Sequence, residues 1–405
     1  MTREDVFAEC ITKIDNKNFL LLELPTGYGK SKLSLDLVNH LAENHIRERR
    51  KTSVLLLVAK TVHKQTWRDE IEKWGGLNVD SITIECYESL KKYQGDHFDI
   101  IVADEVHHLN SDLRLDALSN IGYGKFIGLS ATIPKKLKWF FLYKYHADVV
   151  SCDLVEAIDE EILPEPQIVL YPLQIDNTTV SETIEINPKA KGKTYYGDFS
   201  KLWSYKNQRV HAIISCTPKQ KLGDFNNQIL FAKNRYQRTR QDFLKNKWLF
   251  MCGERIKFLA NLKNGEVLQI LAMLKKERSI TFCKTIEQAE YLGNHCIHSK
   301  NKDSDLVYKE FNEKKINHIT SVNILNENAN LVDCKYAVFA NYSASEVISA
   351  QRIGRSLRHK SPVIIMPYYE NTREQEIIEE MLKDFDKSCI KTVHSISELR
   401  EVIKS

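Results

Sequence analysis

Short apolar runs alternate with stretches of helical spacing through the first 155 residues. The runs at 18–23, 53–59, 81–86, 98–103 and 126–130 are rich in Leu, Ile, Val and Phe. Such runs suit strands buried on both faces. Between them, 31–44 and 62–74 repeat apolar residues with helical periodicity. The alternation predicts a parallel sheet with helices on both sides. A second series follows: strands at 168–171, 280–283, 338–340 and 363–366, and helices at 265–276, 286–292, 373–385 and 396–404. The expected fold class is α/β, with two parallel-sheet lobes over residues 1–155 and 156–405. The acidic stretch 156–166, with two prolines, reads as the hinge. Residues 189–262 read as a helical insertion ahead of the core of the second lobe, and no internal repeat is detectable.

The first chemistry lies at the end of the first run. Pro25-Thr26-Gly27-Tyr28-Gly29-Lys30-Ser31 joins a strand pattern to a helix pattern. Strand, glycine loop, Lys-Ser and helix together describe a phosphate-binding turn. The glycines let backbone N–H groups curl around phosphates, and Lys30 brings positive charge to the β/γ-phosphates. The Ser31 hydroxyl is placed to ligate Mg²⁺. Leu24 stands where the general pattern has its first Gly.

About 70 residues later, Asp104-Glu105-Val106-His107 closes the run 98–103. An acidic pair at the C-terminal end of a buried parallel strand sits where open α/β sheets bind ligands. Asp104 is expected to hold Mg²⁺ and Glu105 to orient and deprotonate a water. A lone Asp-Glu pair more often only caps a strand. The histidines lack a zinc-site spacing, with no HExxH and no cysteine at ligand spacing. In Gln351-Arg352-Ile353-Gly354-Arg355-Ser356-Leu357-Arg358, Arg355 and Arg358 share one helix face. Such arginines can stabilise a transferring phosphoryl group; in isolation they read as a solvated basic face.

The motifs in this order resemble superfamily 2 helicases and translocases of the DExH type. Leu57-Val58-Ala59-Lys60-Thr61 resembles motif Ia, and Ser130-Ala131-Thr132 resembles motif III. Ile280-Thr281-Phe282-Cys283 resembles motif IV, and the stretch from Ser321 to Asp333 resembles motif V. The form QRIGRSLR resembles the branch of restriction motors, transcription-repair helicases and phage fork-remodelling helicases. The resemblance implies two RecA-like lobes closing on ATP and Mg²⁺, with Gln351, Arg355 and Arg358 reaching the phosphates from the second lobe. His107, Ser130 and Thr132 would couple the ATP site to closure. Lys60 and Thr61 would meet nucleic-acid phosphates on one lobe, and loops after 283, at 298–300 and at 320–323 on the other. Motif V departs from the family, with Asn328 where Gly is usual. No glutamine precedes the glycine loop, so base recognition has no residue assigned to it.

Composition narrows the setting. Hydrophobic residues make 42% and charged residues 28% of 405, which are globular values. No run approaches a membrane span of about 20 apolar residues. Nine cysteines without CxxC pairs suit reduced thiols. A cytoplasmic location, or host cytoplasm for a phage-encoded chain, is expected, with no membrane partner.

Charge is uneven. Residues 191–260 hold 15 Lys/Arg and 4 Asp/Glu, 15 − 4 = +11, which leaves 4 − 11 = −7 for the rest of the +4 chain. The segment also carries Tyr236 and Trp248 among its aromatics. Cations interleaved with aromatics can meet phosphates and stack on bases. Arg235, Arg238 and Arg240 are the expected contacts, on single-stranded, duplex or forked DNA. Alternatives stay open: a duplex translocase that does not unwind and works in a replication, repair or defence assembly, an RNA helicase, or a nucleotide-dependent binding protein.

Overall fold

A computed structural model of the chain describes residues 2–186, 212–322, 331–342, 353 and 359–404. The first sheet has six strands: β1 (Phe19–Glu23), β2 (Ser53–Val58), β3 (Ser81–Cys86), β4 (His97–Asp104), β5 (Gly122–Ser130) and β6 (Asp148–Ser151). Their order is β3-β2-β4-β5-β1-β6, and every pair is parallel. Helices Lys30–Arg47 and Thr61–Lys73 connect its strands. Leu20, Leu22, Leu55, Leu57, Ile101 and Ile127 are fully buried, which explains the unalternating apolar runs. At Gly128 an added Cβ would lie 2.8 Å from the side chain of Leu21, so β1 and β5 pack closely there.

A helix at Arg3–Asn16 precedes β1 and was absent from the sequence pattern. Thr2 and Asp5 form a capping box at its start. Val6, Cys10 and Ile14 recur every four residues and are fully buried. Burying the Val and Ile contributes about 1.5–3 kcal/mol each. The Lys125 ammonium closes the helix, donating to the carbonyls of Ile14 at 2.6 Å and Lys17 at 2.9 Å.

The stretch read as a hinge is partly structured. Helix Leu154–Asp159 fills its start, and Ala157 and Leu163 bury into the first-lobe core. The chain then enters β7 (Gln167–Leu173), which belongs to the second sheet. That sheet adds β10 (Ser279–Phe282), β11 (Cys296–Ile297), β12 (His318–Ser321), β13 (Tyr336–Phe339), β14 (Val363–Tyr369) and β15 (Ile390–Thr392). Its order is β11-β12-β10-β13-β14-β7-β15, again all parallel.

Between β7 and β10 come an antiparallel strand pair, β8 (Glu182–Ile186) and β9 (Ala212–Cys216), and two long helices, Pro218–Thr239 and Asp242–Leu262. The helices pack as an antiparallel hairpin. Phe225 meets Phe258 at 5.5 Å and Tyr236 meets Trp248 at 6.4 Å between ring centroids. Leu222 and Leu259 seat its base on Tyr369. Among the described residues no helix is long and apolar enough to cross a membrane.

Candidate active site

Strand register gathers the motifs at one edge of the first sheet. Glu23 of β1 lies opposite Ser130 of β5, and Asp104 of β4 lies opposite Leu129. The glycine loop, Asp104-Glu105 and Ser130-Ala131-Thr132 therefore leave three adjacent strands side by side. The Leu24 N–H donates to the Ser130 carbonyl at 3.0 Å, which ties the loop to β5. Glu23 holds the other side: its carboxylate accepts from the Ile133 N–H at 2.8 Å and from Lys138 at 2.6 Å.

Gly27 and Gly29 adopt φ of 98° and 103°, the left-handed region that glycine enters without a Cβ penalty. Nothing lies within 4 Å of a Cβ position at Gly29, so the turn is open on that side. Lys30 opens the following helix, and its ammonium donates to the carbonyls of Leu24 at 2.9 Å and Pro25 at 3.2 Å. The lysine is thus folded into the concavity of its own loop. Pro25 and Thr26 are buried, and Ser31 sits one residue into the helix beside Lys30.

Asp104 and Glu105 are 5% and 4% exposed. Buried carboxylates need partners. The Trp67 indole N–H donates to Asp104 Oδ2 at 2.8 Å, and the Tyr87 hydroxyl donates to the Asp104 carbonyl at 2.7 Å. Glu105 has φ of 52°, a left-handed conformation unusual outside glycine and costly by about 1–3 kcal/mol. It ends the strand at once. In a continuing strand Glu105 would face away from Asp104. Instead its carboxylate lies 3.3 Å from His107 Nδ1 and 3.4 Å from Ser130 Oγ. Ser130 Oγ also lies 3.0 Å from His107 Nδ1, donates to the Thr132 carbonyl at 2.9 Å and accepts from the Thr132 N–H. A proton on His107 Nδ1 satisfies Glu105, and the serine proton then goes to Thr132.

Sequence reasoning missed Trp67, Tyr87 and Glu23 as positioning residues. Trp67 lay in the chain beside motif Ia, but nothing local told that its indole meets Asp104. A second feature was also missed. A cleft of about 440 Å³ opens beside Gly29, lined by Arg3, Glu4, Phe7, Tyr28, Leu33 and Trp74 among others. The Tyr28 ring packs in the first-lobe core, burial pushes its hydroxyl up to about 12, and that hydroxyl has no hydrogen-bond partner among the described residues.

Lys60 is exposed at the end of β2 and caps helix Thr61–Lys73; the Thr61 hydroxyl contacts Cys86 Sγ at 3.8 Å. Arg235, Arg238 and Arg240 are exposed on the helical hairpin, Arg240 at its turn with φ of 55°. Gln351, Arg355, Arg358, Asn328 and residue 323 lie outside the described residues. Ile353 is helical and buried in the second-lobe core.

Residues 262–360 match the helicase conserved C-terminal domain. Together with the motifs on the first lobe, this supports the class. The chain resembles superfamily 2 helicases and translocases. It is a nucleic-acid-dependent ATPase, and its two parallel-sheet lobes have the RecA-like helicase fold. Among curated proteins, the chain is 23% identical over 362 residues to the DNA 3'-5' translocase XPB2 of Sulfurisphaera tokodaii, covering 84% of this chain and 75% of that one. Among solved structures, S. cerevisiae Dbp5 bound to RNA and ADP BeF3 matches with a TM-score of 0.59 at 12% identity, over 98% of this chain and 92% of the other. The Type ISP restriction-modification enzyme LlaBIII bound to DNA matches with a TM-score of 0.56 at 13% identity. There all of this chain spans 32% of the larger one. At these identities the structural likeness concerns the fold.

Proposed function

We propose that this chain is an ATP-driven DNA motor of the DExH type, with lobes over 1–155 and 156–405 and a basic insertion at about 189–262; residues 189–211 lie outside the described residues, and the rest is strand β9 followed by the helical hairpin rather than helix throughout. The observation that carries the reading is the Glu105–His107–Ser130 network held beside the glycine loop by strand register. Lys30 exchanges the Leu24 and Pro25 carbonyls for β/γ-phosphate oxygens. Ser31 and Asp104 are the residues that would hold Mg²⁺, which when bound neutralises charge on those oxygens. Trp67 fixes the carboxylate of Asp104. Glu105 orients the attacking water and accepts its proton. Gln351, Arg355 and Arg358 act on the γ-phosphate from the second lobe. His107, Ser130 and Thr132 connect that event to lobe closure.

The cleft beside Gly29 takes the nucleoside. Phe7 and Trp74 offer apolar surface, and the shielded Tyr28 hydroxyl fits a ligand that brings it a partner. This assigns base contact without an upstream glutamine. Alanine at Trp74 is expected to raise the KM for ATP by about tenfold, the size of one lost stacking contact, with little change in kcat. An unchanged KM removes the cleft from the nucleotide site.

DNA is favoured as the track because the curated relative named above is a DNA translocase. Lys60 and Thr61 contact phosphates on the first lobe, and Arg235, Arg238 and Arg240 on the hairpin. ATP turnover measured with single-stranded, duplex and forked DNA and with RNA tests this. The expected result is stronger stimulation by DNA; stimulation by RNA alone overturns the choice of track. Replacing the three arginines by alanine is expected to flatten the slope of log affinity against log salt by about 2–3. An unchanged slope removes them from the contact set.

A further inference from the structure

A cavity of about 670 Å³ lies between the helical hairpin and the second lobe, built from residues apart from the glycine loop and Asp104. Asn226, Lys233, Trp248 and Arg255 line it from the hairpin, and Tyr342 and Arg373 from the lobe. The volume suits a small ligand.

Arg255 is the informative group. One guanidinium nitrogen donates to Asn226 Oδ1 at 2.7 Å, while Nε is shielded and has no hydrogen-bond partner among the described residues. No carboxylate of the described residues pairs with it. The two carboxylates at the cavity are engaged elsewhere: Glu374 with the buried Lys263, and Glu376 with Arg373. A half-buried guanidinium in this state lacks an anion. Beside it, the Lys233 ammonium lies 5.7 Å from the centroid of the Trp248 ring. The cavity therefore joins an aromatic wall to two cations without an ion pair among the described residues: Glu376 acts on Arg255 only through space, and Lys233 is exposed.

We propose that this cavity holds one phosphorylated nucleoside, its phosphate on Arg255 and Lys233 and its base against Trp248. A bare phosphate would leave the indole unused, and an apolar ligand would leave the guanidinium unmet. Planar base plus phosphate satisfies both. Two sources carry this chemistry: a nucleotide unit of a bound strand, or a free nucleotide. The inference needs no choice of DNA as track.

The test follows Trp248 fluorescence, taken as the difference between the protein and Trp248→Phe, since the chain has 5 tryptophans. The probes are oligo(dT) and oligo(U) of about twelve nucleotides, a length within reach of one binding site, and uridine 5′-monophosphate, all without ATP or Mg²⁺. We expect saturable quenching and at least a tenfold rise in Kd for Lys233→Ala and Arg255→Met. Lys233 is exposed, so its variant tests binding without risk to the fold. Quenching by the oligonucleotides alone assigns the cavity to the strand, and quenching by the mononucleotide assigns it to a free nucleotide. Strand binding by anisotropy with no Trp248 response overturns the cavity and leaves the motor reading standing. No response to any probe also overturns it.

Discussion

ATP turnover by Glu105→Gln is expected to fall by at least about a hundredfold, the usual worth of a general base, with ATP binding retained. The substitution keeps the volume and one acceptor oxygen, so Ser130 and His107 keep a partner at the positions they now occupy, 3.4 Å and 3.3 Å from Glu105 Oε2. What is lost is the charge that takes the proton of the attacking water. The left-handed φ of 52° at this position makes the reading specific. A backbone held at that cost, with a carboxylate 4% exposed, suits a group aimed at a reaction. Trp67→Phe gives the comparison. It removes one hydrogen bond to Asp104 and leaves Glu105 untouched, so the expected loss is about tenfold, the size of a hydrogen bond to a charged group. That loss should deepen as Mg²⁺ is lowered. The measurement is steady-state ATP hydrolysis with a saturating nucleic acid, alongside affinity for a fluorescent ATP analogue. Turnover by Glu105→Gln near the parent rate would move the base elsewhere.

Elements were legible where a strand buries both faces and a helix buries one. β1, β2 and β4 read from sequence because Leu20–Leu22, Val54–Leu57 and Ile100–Val102 are buried throughout and offer no polar alternation. The short β6, β11 and β15, of 4, 2 and 3 residues, carry too little pattern to stand out. Helix Arg3–Asn16 hid because only three of its positions are buried and most of the rest are charged or polar. The motifs proposed as catalytic could be picked out because phosphate chemistry calls for their residue types in local order. Their supports were not: Trp67 reaches Asp104 from 37 residues away, and Lys263 reaches Glu374 from 111. Only the tertiary fold brings those pairs together.

The Lys263–Glu374 pair carries the second large effect. Lys263 is fully buried and its ammonium lies 2.5 Å from Glu374 Oε1 and 4.7 Å from the Tyr342 ring centroid. Glu374 Oε2 accepts from the Tyr369 N–H at 3.1 Å. Burial pulls the Lys263 pKa below its ordinary value, and the carboxylate opposes that. Lys263→Met leaves Glu374 buried without its cation, and the expected loss of stability is about 3–5 kcal/mol. Lys263→Met combined with Glu374→Gln removes both charges and keeps an acceptor for Tyr369, so it is expected to recover more than half of that loss. Urea unfolding of the two single variants and the double variant measures the coupling as a double-mutant cycle. Losses that simply add would mean the two side chains do not act as a pair. The consequence reaches function because Lys263 follows directly on helix Asp242–Leu262, and Glu374 lies in the first turn of helix Arg373–Leu382. The pair fastens the hairpin to the second lobe under the cavity of Arg255 and Trp248. In the double variant, which restores packing without charge, the Trp248 response to nucleotides is therefore expected to return together with stability.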